Sequence, residues 1–187
     1  MALKLPTHSI DAEMVYISRK DKAWDTDRIE AESEALPDGL KSHPIWVWLD
    51  GEYRFDLSAD IPLGESTVAA EDYLEGEPSI GVFTFRRIPL KERGRLQAQW
   101  DRMVRRASES REQIDEVEFF SFCYDAFRHG VASLEGGPVP FTSPPARPVP
   151  DSKIDSLAPH GGEMLIKEVG YAAFVAAKAL TESEKKR

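Results

Sequence analysis

The stretch IDEVEFFSFCYDAFRHG, residues 114–130, has the strongest helical periodicity in the chain. Apolar side chains recur there every three or four residues, which places them on one face of an α-helix. They are Ile114, Val117, Phe120, Tyr124 and Phe127, continued by Val131. A second set fills the adjacent face: Phe119, Phe122, Cys123 and Ala126. Because the apolar surface is wider than one stripe, we expect this helix to be the central and most buried one.

Amphipathic helices are expected on both sides of this central helix. The preceding helix follows Pro89, a residue that suits the first turn of a helix, and it has an arginine-rich outer face. Its apolar positions are Leu96, Trp100, Met103, Val104 and Ala107. The helix that follows contains Gly170, Ala173 and Ala177, whose small side chains permit close approach of a neighbouring backbone.

The first half of the chain is typical of β-strands. Residues 14–17, MVYI, form a short β-branched and aromatic run, and residues 82–87 alternate between two faces as a strand does. Between them lies a polar connection that includes a segment with weak helical character at residues 69–74. We therefore expect strands near both ends of this half.

A hairpin is the clearest local signal in the first half. Residues 45–57, IWVWLDGEYRFDL, are two alternating runs joined by Asp50-Gly51, which suits a type I′ turn. This turn pairs Trp48 with Tyr53 and Trp46 with Phe55, so that these four aromatic residues share one face. We favour packing of that face on the core, because large aromatic side chains are mostly buried. The alternative is an exposed platform for stacking or partner binding.

The chain is expected to form one domain of the α+β class, residues 1–187. A small, mostly antiparallel sheet with the Trp-rich hairpin comes from the β-rich part, residues 1–88, and packs against about three α-helices. Two helices occupy residues 89–135, and the third helix and a polar tail occupy residues 153–187. Residues 136–152 hold six prolines and are expected to connect them as extended chain on the surface. A PxxP ligand, Pro145 to Pro148, is the alternative for that segment.

Composition favours synthesis in the cytosol. The N-terminus lacks the apolar stretch of a secretory signal, and no apolar run is long enough to span a membrane. The single cysteine, Cys123, cannot form an internal disulfide, which is typical of a reducing compartment.

No catalytic, cofactor or metal site is expected from the sequence, and we interpret the chain as not an enzyme. The four histidines lie far apart without metal-ligand spacing: His8, His43, His129 and His160. Cys123 lies within the most apolar helix, where a thiol is an inert core residue. Neighbouring carboxylates fall in acidic stretches, and the glycine pairs lack the context of a phosphate-binding loop.

Charge is distributed unevenly along the chain, whose net charge is −9. Residues 86–106 carry +6, the part before them −11 and the part after them −4. Seven arginines in this basic strip are candidate interaction residues: Arg86, Arg87, Arg93, Arg95, Arg102, Arg105 and Arg106. Ion pairing within the fold or between copies is favoured. Binding of nucleic acid, with Trp100 stacking on a base, is the alternative.

The order of motifs in residues 82–187 is familiar. VFTFRRIPLKER (residues 82–93) is followed by FRHGVASLEG (127–136) and VPF (139–141), and then by IDSLAPHGGEMLIKEVG (154–170) and LTESEKK (180–186). This succession resembles small tail-assembly and head–tail region proteins of tailed bacteriophages. The N-terminal half departs from that pattern, because an acidic stretch and the Trp-rich hairpin stand where the phage proteins are compact.

The resemblance implies a non-enzymatic virion structural or tail-assembly protein in the host cytoplasm, and both a component of the virion and a transient assembly factor fit it. Its partners would be itself, as a homo-oligomer, or other phage structural proteins, rather than nucleic acid or a membrane. We expect Arg93, Arg102 and Arg106 near such a contact. Two alternatives stay open: a nucleic-acid-binding module that uses the basic strip, and a phage accessory protein that binds a host factor.

Overall fold

The computed structural model describes residues 14–18, 21–28, 31, 45–49, 52–56, 67–69, 73–144 and 147–185. The described strands are β1 Met14–Ile17, β2 Ile45–Leu49, β3 Glu52–Asp56, β4 Thr67–Ala69, β5 Val82–Phe85, β6 Val131–Glu135 and β7 Phe141–Thr142. The described helices are α1 Leu90–Ser110, α2 Glu116–Gly130, α3 Asp151–Asp155 and α4 Gly162–Lys185, with a 3-10 turn at Ala158–His160. The expected α+β class is confirmed, with three long helices and an antiparallel sheet.

The main sheet has the strand order β1-β5-β6-β7, and every neighbouring pair is antiparallel. Phe83 and Phe85 of β5 are fully buried, and Phe83 meets Phe127 of α2 edge-on with 6.1 Å between ring centroids. Aromatic side chains on this strand therefore join the sheet to the helices.

The origin of this sheet differs from the expectation in one respect. Strands β6 and β7 come from the C-terminal half, in segments assigned to a helix end and to the connector. Val131, placed by periodicity on the central helix, is the first residue of β6, because α2 ends at Gly130 and the chain turns at once into pairing with β5. Val131 therefore pairs with β5 instead of continuing the helix, because the helical periodicity extends only one residue past Gly130 and strand pairing is the stronger influence.

The helix α2 lies between α1 and α4. Asp115 caps its N-terminus by accepting a hydrogen bond from the backbone N–H of Glu118 at 2.8 Å. Its buried residues are Phe122, Cys123, Ala126, Phe127 and Gly130, which confirms burial for three of the four members of the second apolar set and leaves Phe119 half-buried. Val117 was wrongly placed in the buried stripe, because it lies in the first turn of α2, with its side chain 78% exposed.

The small residues of α4 allow a very close approach to α2, as expected. A Cβ atom added to Gly170 would lie 2.0 Å from the carbonyl oxygen of Cys123. A Cβ added to Gly130 would lie 2.9 Å from the Cβ of Ala173. The two helices are therefore in backbone contact at a position that admits no side chain.

The hairpin forms a second sheet, with the order β2-β3-β4. Its register is the expected one, with Trp48 opposite Tyr53 and Trp46 opposite Phe55. The turn residues Asp50 and Gly51, and the side chains of both strands, lie outside the described part of the chain, so burial of the aromatic face stays a prediction. Ala69, expected in a weakly helical segment, belongs instead to β4, because it pairs with Arg54 of β3.

The proline-rich segment is bound to the body of the protein at several points. Phe141 of β7 is buried, the N–H of Ser143 donates to the carbonyl of Ala132, and the N–H of Val149 donates to the carbonyl of Arg128. Val149 is fully buried. The segment therefore connects the sheet to α3 as expected, and it does so by packing on α2 and β6. Pro145, on which the PxxP alternative depends, lies outside the described residues.

Candidate interaction surface

The seven candidate arginines do not form one uniform surface, because the fold uses several of them. Arg86 follows β5 and its guanidinium points at backbone carbonyls. Nη2 donates to the carbonyl of Arg147 at 2.6 Å and Nη1 to that of Pro144 at 2.7 Å. Nε donates to the carbonyl of His129 at 3.2 Å. Partial burial lowers the pKa of this guanidinium. Arg86 therefore fastens the proline-rich segment to the end of α2.

Arg95 and Arg106 join α1 to α2. Arg95 contacts Glu92 and Asp125, each at 2.9 Å, and the hydrogen bond with Asp125 is the main cause of its raised pKa. Arg106 contacts Glu118 at 2.8 Å. These pairs are partly exposed, so each adds little to stability. They confirm that ion pairing within the fold takes up part of the basic strip.

Arg102 and Arg105 face outward from α1, and both side chains are exposed. Arg102 donates through Nε to the carbonyl of Ala98 at 3.3 Å. Within the described ranges, neither arginine forms an ion pair with a carboxylate. Lys91 lies on the same side of the helix, because 11 residues make about three turns. We call Lys91, Arg102 and Arg105 the cationic face of α1.

Arg87 and Arg93 complete the set. Arg87 is exposed and Arg93 is half-buried, and each has a contact of its own within the protein. The structure therefore places six of the seven arginines on or near α1 and assigns Arg86 to the body of the fold.

Two side chains of α2 with potential reactivity, Cys123 and His129, are shielded. Cys123 is fully buried, and this burial raises the pKa of its thiol to about 12. His129 lies with Nε2 3.8 Å from Oε2 of Glu92, and burial lowers its pKa more than the carboxylate raises it. The inert core position expected for Cys123 is confirmed.

An aromatic cluster joins α1, α2 and α4, with Trp100 at its centre. The Trp100 ring lies 5.5 Å from those of Phe122 and Tyr171, and within 6.5 Å of those of Phe119 and Phe174. Trp100 is half-buried, and the apolar surface continues outward through Val104, Tyr171 and Val175, whose exposed fractions are 38–40%. Trp100 is thus mainly a packing residue.

Sequence reasoning missed this partly exposed patch. It placed Val104 in the buried stripe and did not single out Tyr171 and Val175. The signal that could have found it is their spacing of four residues, which places the two side chains on one face of α4 and outside its small-residue face.

None of the described residues forms a group of histidines, cysteines or carboxylates that could hold a metal ion. Of the helices that the structure describes, none is both long and apolar enough to cross a bilayer. Comparisons of the chain with family models, with curated proteins and with solved structures found no match.

Proposed function

We propose that this chain is a non-enzymatic bacteriophage virion structural or tail-assembly protein that acts through protein–protein contacts. Two arguments support the proposal. The first is the resemblance of residues 82–187 to small tail-assembly and head–tail region proteins. The second is the surface of α1, which offers cations on one side and apolar side chains on another.

The observation that carries the proposal is the exposed position of Arg102 and Arg105. Long cationic side chains that pair with no carboxylate among the described residues favour an acidic surface on another molecule. The part of the chain before Arg86 has a net charge of −11, so a second copy of the chain carries an excess of carboxylates that such side chains could bind. Contacts of this kind repeat from head to tail and form rings or filaments, the assemblies of which phage tails and connectors are made.

The experiment is sedimentation of the purified protein with the portal and tail proteins encoded beside it. Wild-type protein is expected to sediment with one of them in low salt and less in high salt, because screening weakens contacts between charges. Reversal of charge in Arg102→Glu/Arg105→Glu is expected to abolish that complex. Arg106 is less suitable than these two, because it also pairs with Glu118.

The matched control is Arg147→Glu/Lys153→Glu, which changes the net charge equally at two exposed positions away from α1. It is expected to sediment like the wild type. If both double variants formed the complex to the same extent, the cationic face of α1 would not be the contact surface. A gene that lies outside a block of portal, capsid and tail genes would remove the support from the resemblance.

Binding of nucleic acid is a separate outcome that titration tests. Phosphate contacts release counterions, so a genuine site binds DNA in low salt and weakens steeply as salt rises. The packing of Trp100 among four aromatic rings disfavours its use for stacking on a base. We therefore expect no binding of duplex or single-stranded DNA in low salt. Salt-sensitive binding that Arg102→Glu/Arg105→Glu abolishes would replace our proposal with the nucleic-acid alternative.

A further inference from the structure

A second stripe runs along α1 beside the cationic face. Leu90, Gln97 and Val104 are spaced by seven residues, which is close to two full helical turns, so they lie in a line along one side. Leu90 is 75% exposed and Val104 is 38% exposed. We call these three residues the α1 stripe. Gly94, between its first two members, is exposed, and a Cβ added there would meet nothing within 4 Å.

The α1 stripe is complementary to itself when a second copy runs antiparallel. Gln97 stands midway between Leu90 and Val104, about 10 Å from each along the helix. A twofold axis through Gln97 therefore brings Leu90 of each copy against Val104 of the other. Leu90, Gly94, Gln97, Asp101 and Val104 are separated alternately by four and three residues, so all five lie along one side of α1.

Charge is complementary in the same register. Arg93 and Asp101 lie four residues on either side of Gln97, so the same axis brings Arg93 of each copy to Asp101 of the other. Asp101 already accepts a hydrogen bond from Nε2 of Gln97 at 2.8 Å. The amide of Gln97, at the centre of the α1 stripe, therefore has one hydrogen-bond partner within its own helix. A guanidinium has five N–H donors, so Arg93 can keep its own contact and still reach a carboxylate.

The surroundings of the α1 stripe add apolar area to such a contact. Val104 lies one turn beyond Trp100 on α1, and Tyr171, which is 39% exposed, lies beside Trp100 with 5.5 Å between ring centroids. In this register Gln97 and the Arg93–Asp101 pairs lie at the middle of the contact, and the apolar area lies toward both of its ends.

We propose that this protein forms a twofold dimer through antiparallel packing of the α1 stripe, with Gln97 at the axis. The inference rests on the proposed function, in which the protein contacts itself or other structural proteins, and it names the surface of the self-contact. The cationic face of α1 lies on another side of the helix and stays exposed in this dimer. Each dimer would then offer two such faces to acidic partners.

Sedimentation equilibrium over a concentration series tests the dimer. The wild type is expected to dimerise, and Leu90→Glu is expected to raise the dissociation constant by more than about tenfold, because two buried leucines are lost per dimer. Val117→Glu is the matched control, since Val117 is an equally exposed apolar residue on α2. It is expected to dimerise like the wild type.

Disulfide trapping tests the position of the axis. A single Gln97→Cys substitution places one thiol of each copy at the twofold axis, and mild oxidation is expected to link them. Arg105→Cys, on the cationic face, is expected to link far more slowly. The native Cys123 can stay in place because it is fully buried.

The outcomes separate this inference from the proposed function. A wild type that stays monomeric, a dimer indifferent to Leu90→Glu, or equal linking of Gln97→Cys and Arg105→Cys would each overturn the α1 stripe as the dimer contact. If one of these results were found and the protein still formed complexes that depend on Arg102 and Arg105, the proposed function would stand without the dimer. A dimer with the expected behaviour that bound no structural protein would support the inference alone.

Discussion

Replacement of Gly170 by alanine should destabilise the protein, although alanine is the better helix former. The new Cβ would lie 2.0 Å from the carbonyl oxygen of Cys123 and 2.7 Å from its carbonyl carbon. Ordinary contact begins near 3.4 Å, and the obstructing atoms are backbone. The helices α2 and α4 must therefore separate by about 1.4 Å, which exceeds the gap of about 0.5–1 Å that already forfeits a quarter to a half of the dispersion energy at each contact it opens.

The magnitude follows from two opposing effects. Overpacking against backbone costs about 3 kcal/mol, at the upper end of the usual range. The higher helix propensity of alanine returns about 1 kcal/mol. We expect Gly170→Ala to lower the free energy of unfolding by about 2 kcal/mol, which corresponds to a fall in Tm of about 4–8 °C for a domain of this length.

Gly94→Ala is the matched control, because the same atom is added to another long helix with nothing within 4 Å. It is expected to raise the free energy of unfolding by about 0.5–1 kcal/mol through helix propensity alone. Urea denaturation followed by circular dichroism measures both variants, each in a Leu90→Glu background that keeps self-association out of the comparison. A Gly170→Ala protein as stable as its parent would refute the close approach of α2 and α4.

Three further predictions concern single side chains. Cys123 should react with a thiol reagent only when the protein unfolds, because burial raises its pKa to about 12; labelling in native buffer at the rate of the urea-denatured chain would contradict this. Burial lowers the pKa of His129 below 6.5, so the unfolded chain takes up the proton first and stability should fall as the pH drops through 6.5. The urea midpoint of His129→Gln should fall less over that pH range than the wild-type midpoint does. Equal falls of the two midpoints would contradict a lowered pKa of His129. Arg86→Ala should cost about 2 kcal/mol by removing charge-assisted hydrogen bonds to carbonyls, and proteolysis should then cut the segment near Val149 faster than in the wild type; an unchanged digest would show that the carbonyl contacts do not hold it.

Local patterns in this sequence predicted the long helices and the hairpin register well. Periodicity of three and four residues located α1 and α2, and the position of Asp50-Gly51 gave the pairing of Trp48 with Tyr53. Such signals depend on neighbours a few residues apart, which is why they can be recognised without a structure.

The contacts that complete the main sheet depend on distant residues and could not be predicted in the same way. Strand β6 is a short run with two small residues, and it becomes a strand because it pairs with β5, about 50 residues earlier. The role of Arg86 is similar, since the carbonyls of Pro144 and Arg147 reach it only after α2 has formed. The sequence showed a strip of arginines without showing which of them the fold would use.

The exposed patch around Trp100 was missed for a related reason. Periodicity shows which residues share one side of a helix, and it does not show how far a neighbouring helix covers that side. Val104 follows the buried Met103 on α1, yet its side chain is 38% exposed at the edge of the cluster. The outward positions of Arg102 and Arg105 likewise became clear only when Arg95 and Arg106 were found paired with α2.

The most direct test of the proposed role in phage assembly is to find whether a phage carries this gene, to delete it there and to complement the deletion. Without the gene, electron microscopy is expected to show unjoined or aberrant heads and tails. Wild-type protein and Arg147→Glu/Lys153→Glu should restore complete virions and plaques, while Arg102→Glu/Arg105→Glu should not. Complete, infectious virions formed without the gene, or restored equally by both double variants, would contradict an assembly function that works through the cationic face of α1.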